Sequence, residues 1–148
     1  MTLDRTMPAD NLGYGDVMEW GVLDWIVEDF PESVNILGGT FSSVALKRNT
    51  VNGSDYIYGF ELIDDSSDIA TLENSFNNVY STLVSLYGEP FRYGEDDISY
   101  GAENGAVAEW DGTELGDIWL CWGENMWGTE GHNDLYFSCT LDGVYVDD

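Results

Sequence analysis

The chain reads as an α+β protein: a single, mostly antiparallel β-sheet of about five to six strands with two helices packed on one face. Three observations carry that expectation. A stretch with a helical apolar stripe, Ser67 to Pro90, stands within a chain otherwise rich in alternating β-branched and aromatic residues. An Asn52-Gly53 pair separates two such alternating runs, as in a hairpin turn, where both central residues must accept positive φ. No linker, repeat or low-complexity segment divides the 148 residues, a length that suits one domain with a sizeable core. The domain is therefore expected to span residues 1–148, with 1–14 as a loose N-terminal arm.

The first expected helix is "DVMEWGVLDWIVEDF", Asp16 to Phe30. Asp16 followed by Glu19 is an Asp variant of the capping box. Met18, Val22, Trp25 and Ile26 share one helical face, and Pro31 would end the helix. Two or three strands follow, one through Phe41, Val44 and Leu46, and another from Tyr56 to Ile63, where Tyr56, Tyr58 and Phe60 alternate against Ile57, Gly59 and Glu61.

The second helix has the clearest signal. Ile69, Leu72, Phe76, Val79, Leu83 and Leu86 advance in steps of three and four, opposite Asn74, Asn77, Asn78 and Ser81. Ser67 or Asp68 can cap its start, Gly88 can supply a left-handed terminus, and Pro90 forbids continuation.

Three more strands are expected at Ala106 to Trp110, Asp117 to Gly123, and Asp134 to Val146 with a break at Asp142-Gly143. "DIWLCWG" is apolar on both parities, as in a central strand covered on both sides. "LYFSCTL" alternates, with Leu135, Phe137, Cys139 and Leu141 inward and Tyr136, Ser138 and Thr140 outward. If these two strands pair, Cys121 and Cys139 become candidates for a disulfide; otherwise they are small buried hydrophobes. The element order and the "YGEP" at Tyr87 to Pro90 resemble in outline small envelope-associated helix-and-sheet modules of bacteria, including the repeat unit of a secreted β-lactamase-inhibiting protein. That resemblance runs over about Tyr14 to Leu141, implies fold only, and carries no residue roles across.

Charge sets the functional expectations. Twenty-nine acids against four bases give −25. All four bases, Arg5, Lys47, Arg48 and Arg92, precede residue 93, and 14 acids follow with no Lys or Arg. A hydrophobic content of 43% excludes disorder driven by charge. Direct binding to nucleic acid or to an anionic membrane is disfavoured by like charge. No apolar run approaches a membrane span and no signal segment is recognisable, so a cytoplasmic protein is expected, or a secreted one if a signal has been removed.

The inventory argues against an enzyme. His132 is the only histidine, so no His/Cys zinc set and no independent Ser-His-Asp set can be assembled. It falls in the loop "TEGHND", where a solvated side chain is expected. "DDSSD" and "EDD" lack the glycine and distal glutamate of an EF-hand, and no glycine-rich stretch has nucleotide-loop spacing. Carboxylate pairs that could cleave glycosides are too numerous to be specific. No cofactor and no metal are expected.

What remains is a carboxylate-rich, aromatic-studded second half. The expected partner-binding residues are Glu95, Asp96, Asp97, Glu103, Glu109, Asp111, Glu114 and Asp117, with Trp127, Trp110 and Tyr100 as aromatic anchors. They suit an inhibitor that presents carboxylates in place of backbone phosphates to a basic, nucleic-acid-handling protein, as immunity, anti-restriction and anti-CRISPR proteins do. The alternative is a secreted or envelope-associated module that binds glycan, cell wall or peptide and uses its acidity for solubility. A monomer or homodimer suits either.

Overall fold

In the computed structural model the described residues are 16–20, 23–51, 54–65, 68–94 and 102–140. They form one antiparallel sheet of eight strands and one α-helix. The strands are β1 (Asp16–Trp20), β2 (Leu23–Ile36), β3 (Gly39–Val51), β4 (Ser54–Asp64), β5 (Arg92–Gly94), β6 (Asn104–Thr113), β7 (Gly116–Glu124) and β8 (Asp134–Thr140). The helix α1 (Ile69–Tyr87) lies between β4 and β5 in the chain. The sheet order is β1-β2-β3-β4-β8-β7-β6-β5, so two meanders meet where β8 inserts beside β4.

The α+β character stands, but the first expected helix is a hairpin. Asp16 pairs with Val27, Met18 with Trp25 and Trp20 with Leu23. Pro31 does not end a helix; it lies within β2, where the register against β3 shifts between Asp29 and Val34. A proline removes a ladder donor, and a bulge is where a strand tolerates that loss. The change leaves one helix and eight strands instead of two helices and about five to six strands. It also removes the helix-first order on which the outline resemblance to envelope modules relied.

The second expected helix forms as α1. Asp68 is its N-cap, accepting from the Ala70 amide, and Gly88 closes it at φ 83°. Leu72, Phe76, Val79 and Leu83 are buried, whereas Leu86, expected on the same stripe, is 56% exposed. The helix crosses β3, β6, β7 and β8. Its core partners alternate along those strands: Ala106, Ala108 and Trp110 on β6, Ile118, Leu120 and Trp122 on β7, Leu135, Phe137 and Cys139 on β8. The two alanines let the helix axis approach the sheet. Gly39 does the same at the β2–β3 turn, where an added Cβ would stand 2.5 Å from Val79 Cγ2.

The Asn52-Gly53 turn residues lie outside the described set, but Val51 pairs with Ser54 across them, as a two-residue hairpin requires. β7 is buried on both faces, as its sequence predicts. Among the described residues no helix is long and apolar enough to cross a membrane.

Candidate functional site

The face of the sheet away from α1 is not the open surface its outward parity suggests. Along β8, Tyr136 and Ser138 are buried, as are Lys47 on β3, Glu61 on β4 and Cys121 on β7. The register lines them up: Glu61 pairs with Ser138, and Ser138 with Trp119; Ile63 pairs with Tyr136, and Tyr136 with Cys121. After β7 the chain turns back at Asn125, whose left-handed backbone (φ 53°) precedes a short 3₁₀ turn, Met126–Gly128. Met126 is buried against Val107, Cys121 and Tyr136.

Polar groups within this face satisfy one another. Lys47 Nζ donates to Ser138 Oγ at 2.5 Å and to Thr140 Oγ1 at 3.4 Å. Tyr136 donates to Asp134 Oδ2 at 2.5 Å, and His132 Nε2 lies 2.6 Å from the same oxygen. His132 is thus tied to a buried carboxylate rather than simply solvated. Burial pushes Glu61 up to about 7, with Lys47 opposing and Asp134 adding to the rise. Burial likewise lowers Lys47, against the pull of Glu61. These residues escaped the sequence reading because their alternation marked them as outward. The available signal was Lys47, a cation that directly follows the apolar run Val44-Ala45-Leu46 in "SSVALKRNT".

The cysteines do not meet. Cys139 pairs with Ile118 and joins the core under α1, whereas Cys121 pairs with Tyr136 and lies on the opposite face; both are free thiols. Burial pushes Cys139 up to about 12 and raises Cys121 further from the thiolate, so neither is poised as a nucleophile. Among the described residues no three His, Cys, Asp or Glu side chains cluster to hold a metal ion.

The expected partner-binding residues divide into groups. Glu95, Asp96, Asp97 and Tyr100 lie outside the described residues. Asp111, Glu114 and Asp117 gather at the β6–β7 turn, where Gly112 donates to Asp117 Oδ1 at 2.9 Å and Thr113 Oγ1 donates to the Gly116 carbonyl at 2.7 Å. Glu109 is engaged by Arg92 at 2.8 Å. Glu103 immediately precedes the opposite end of β6, roughly 25 Å away at the usual strand rise. There its Oε2 accepts from Asn125 Nδ2 at 3.0 Å. Trp127 sits in the 3₁₀ turn. Trp110 is not a surface anchor: it is 3% exposed, and its indole N–H donates to the Gly88 carbonyl at 2.9 Å, fastening the end of α1 to β6.

Two concavities open on the helix side. One, about 480 Å³, is lined by Glu73, Asn77, Tyr93, Glu103, Asn104 and Trp122 among others. Tyr93 is 47% exposed at its edge. The other, about 400 Å³, is lined by Phe30, Val34, Ile36, Leu37, Val44, Phe60, Leu62, Leu115 and Phe137, with no charged side chain.

Compared with models of known protein families, with curated proteins and with solved structures, the chain matches none.

Proposed function

We propose that this is a non-enzymatic acidic protein that binds and neutralises a basic, nucleic-acid-handling protein by presenting carboxylates to its cationic surface. The observation that supports this reading is the uneven placement of the acids. Glutamate is among the best helix formers, and an exposed helix face is where a general solubility coat would most readily put it. Yet α1 carries one acid, Glu73, in 19 residues, against about one in five for the chain. Its other exposed polar positions are Thr71, Asn74, Asn77, Asn78, Ser81 and Ser85. The exposed carboxylates described outside α1 are Asp29 and Glu32 at the bulge of β2, Asp65, Asp68 and Glu89 in the segments flanking the helix, and Glu103, Asp111, Glu114 and Glu130 at strand ends and turns of the second meander. The groove where Glu73 and Glu103 flank Tyr93 suits an Arg or Lys side chain, which gains ion pairing and a ring face together.

Affinity for a basic nuclease or similar DNA-handling protein is expected to fall steeply between about 50 and 500 mM salt, because screening shortens the reach of exposed charge. Glu73→Gln with Glu103→Gln should weaken it further at low salt. Affinity unchanged across that range would sink the reading. The same groove favours a second reading, since Tyr93 beside Asn77 and Asn104 also suits a glycan or peptide ligand. Binding to cell-wall glycan that survives high salt would select it.

A further inference from the structure

We infer that the groove between the first half of α1 and the β5–β6 edge of the sheet is an arginine site, which takes a guanidinium of the basic partner in preference to a lysine ammonium. The inference rests on the acidic-surface reading above. The groove follows from what β6 places beside the helix. On the helix-side face β6 carries Ala106 and Ala108 before Trp110, and Trp110 fills the space at the C-terminal end of α1, where its indole reaches Gly88. Beside the first turns the same face offers only the Ala106 methyl, paired with Trp122 on β7, and about 480 Å³ stays open.

The walls carry the polar groups. Glu73 and Asn77, one helical turn apart, come from α1, and Glu103 and Asn104 come from the start of β6, so each side contributes a carboxylate and an amide. Their acceptor atoms are only partly used. Glu103 Oε2 accepts from Asn125 Nδ2 at 3.0 Å, which leaves Oε1; Asn104 Nδ2 donates to Glu124 Oε1 at 3.4 Å, which leaves the Asn104 carbonyl oxygen. Among the described residues Glu73 enters no ion pair or side-chain hydrogen bond. Tyr93, 47% exposed with its ring 5.3 Å from that of Tyr80, adds an aromatic surface, and Phe76, Ala106 and Trp122 make the floor apolar.

One side chain uses all of these surfaces together. Arginine lays its methylene stem on an apolar floor, stacks its plane on a ring, and presents five donors in a rigid fork that can reach acceptors on two walls. A lysine ammonium is a compact, strongly hydrated point charge, so it loses more hydration on entry and gains less from the ring. An anionic group is repelled by both carboxylates, and a neutral polar group would cover them without compensating their charge.

The test uses the full chain with synthetic peptides: a glycine-serine peptide carrying arginines, its lysine counterpart of equal charge, and its citrulline counterpart, which keeps the shape of arginine without the charge. Each is titrated by calorimetry at moderate salt. The arginine peptide should bind about tenfold more tightly than the lysine peptide, and the citrulline peptide more weakly than either. Tyr93→Leu should shrink the preference for arginine over lysine to about threefold or less, because it keeps the bulk and removes the ring. Glu73→Gln with Glu103→Gln should abolish that preference. Asp111→Asn with Glu114→Gln, the same change of charge at the far end of β6, should leave it intact. Equal binding of the arginine and lysine peptides, lost equally through either pair of substitutions, overturns the arginine site while leaving the acidic-surface reading standing. Citrulline binding as tight as arginine binding overturns it in favour of a neutral polar ligand. Failure of both cationic peptides even at low salt removes the acidic-surface reading as well.

Discussion

Glu61 shows how far a single residue can depart from what its sequence context announces. It stands in "YGFELIDD" on the parity opposite Phe60 and Leu62, so alternation assigns it to an open face. In the structure that face is covered, and Glu61 is 4% exposed beside Lys47 and Asp134. Burial raises it from 4.5 to about 7, so its proton is held more tightly in the folded than in the unfolded chain. The stability gained by holding that proton is fully present below about pH 4.5 and is lost as pH rises through about 7. The difference corresponds to about 3 kcal/mol, as an order of magnitude. Glu61→Gln stays neutral throughout, so urea unfolding should show its stability relative to the parent growing by about that amount between pH 5 and pH 8. A gap that stays flat with pH would show that Glu61 does not titrate within the fold. Trp110 errs the other way: an aromatic among acids reads as a surface anchor, yet its indole is spent on Gly88. Neither environment follows from local pattern, because each is set by residues at least 14 positions away: Gly88 for Trp110, Lys47 and Asp134 for Glu61.

At the scale of elements, α1 was legible and the β1–β2 hairpin was not, for opposite reasons. In α1 the apolar stripe, Asp68 at the start and Gly88 at the end agree, and each is a local signal. From Asp16 to Phe30 the apolar residues fit a helical face, but the same residues also alternate, as Leu23, Trp25 and Val27 do against Asp24 and Glu28. A helix there would place Asp24 and Glu28 one turn apart with no cation to offset them, and it would hold Gly21 in its interior. Pairing with β3, from Leu23↔Asn49 to Ile36↔Gly39, resolves the ambiguity, and that partner lies outside any local window. The two faces of α1 should respond differently to substitution. Phe76→Ala empties a fully buried position stacked beside Tyr80 and should cost about 3–5 kcal/mol in chemical denaturation. Asn74→Glu, on the exposed face, should change stability by less than about 0.5 kcal/mol. Should Asn74→Glu instead prove as costly as Phe76→Ala, the bare outer face would be a packing requirement, and its lack of acids would no longer argue for selective placement elsewhere.

Over the whole molecule the net charge of −25 acts on folding and on binding with opposite sign. Two like charges about 10 Å apart repel by roughly 0.4 kcal/mol in water and by roughly 0.15 kcal/mol once one Debye length of about 10 Å separates them. Few cations offset these terms: among the side chains described, Lys47 is buried and Arg92 is held by Glu109. Many pairs therefore add up, and the fold carries a strain that salt relieves. Raising sodium chloride from about 20 to about 500 mM should lift the melting temperature by roughly 5–10 °C, the response of a domain this size to a gain of a few kcal/mol. The same screening weakens attraction to a cationic partner, so affinity should fall over the range in which stability climbs. The opposed slopes separate a functional acidic surface from a solubility coat, because a coat predicts the rise in melting temperature alone. They also exclude a trivial cause for lost binding: a protein that binds less while melting at a higher temperature has not begun to unfold. A melting temperature that stays level with salt would mean that the carboxylates lie too far apart to repel, and an array that sparse could not imitate a phosphate backbone.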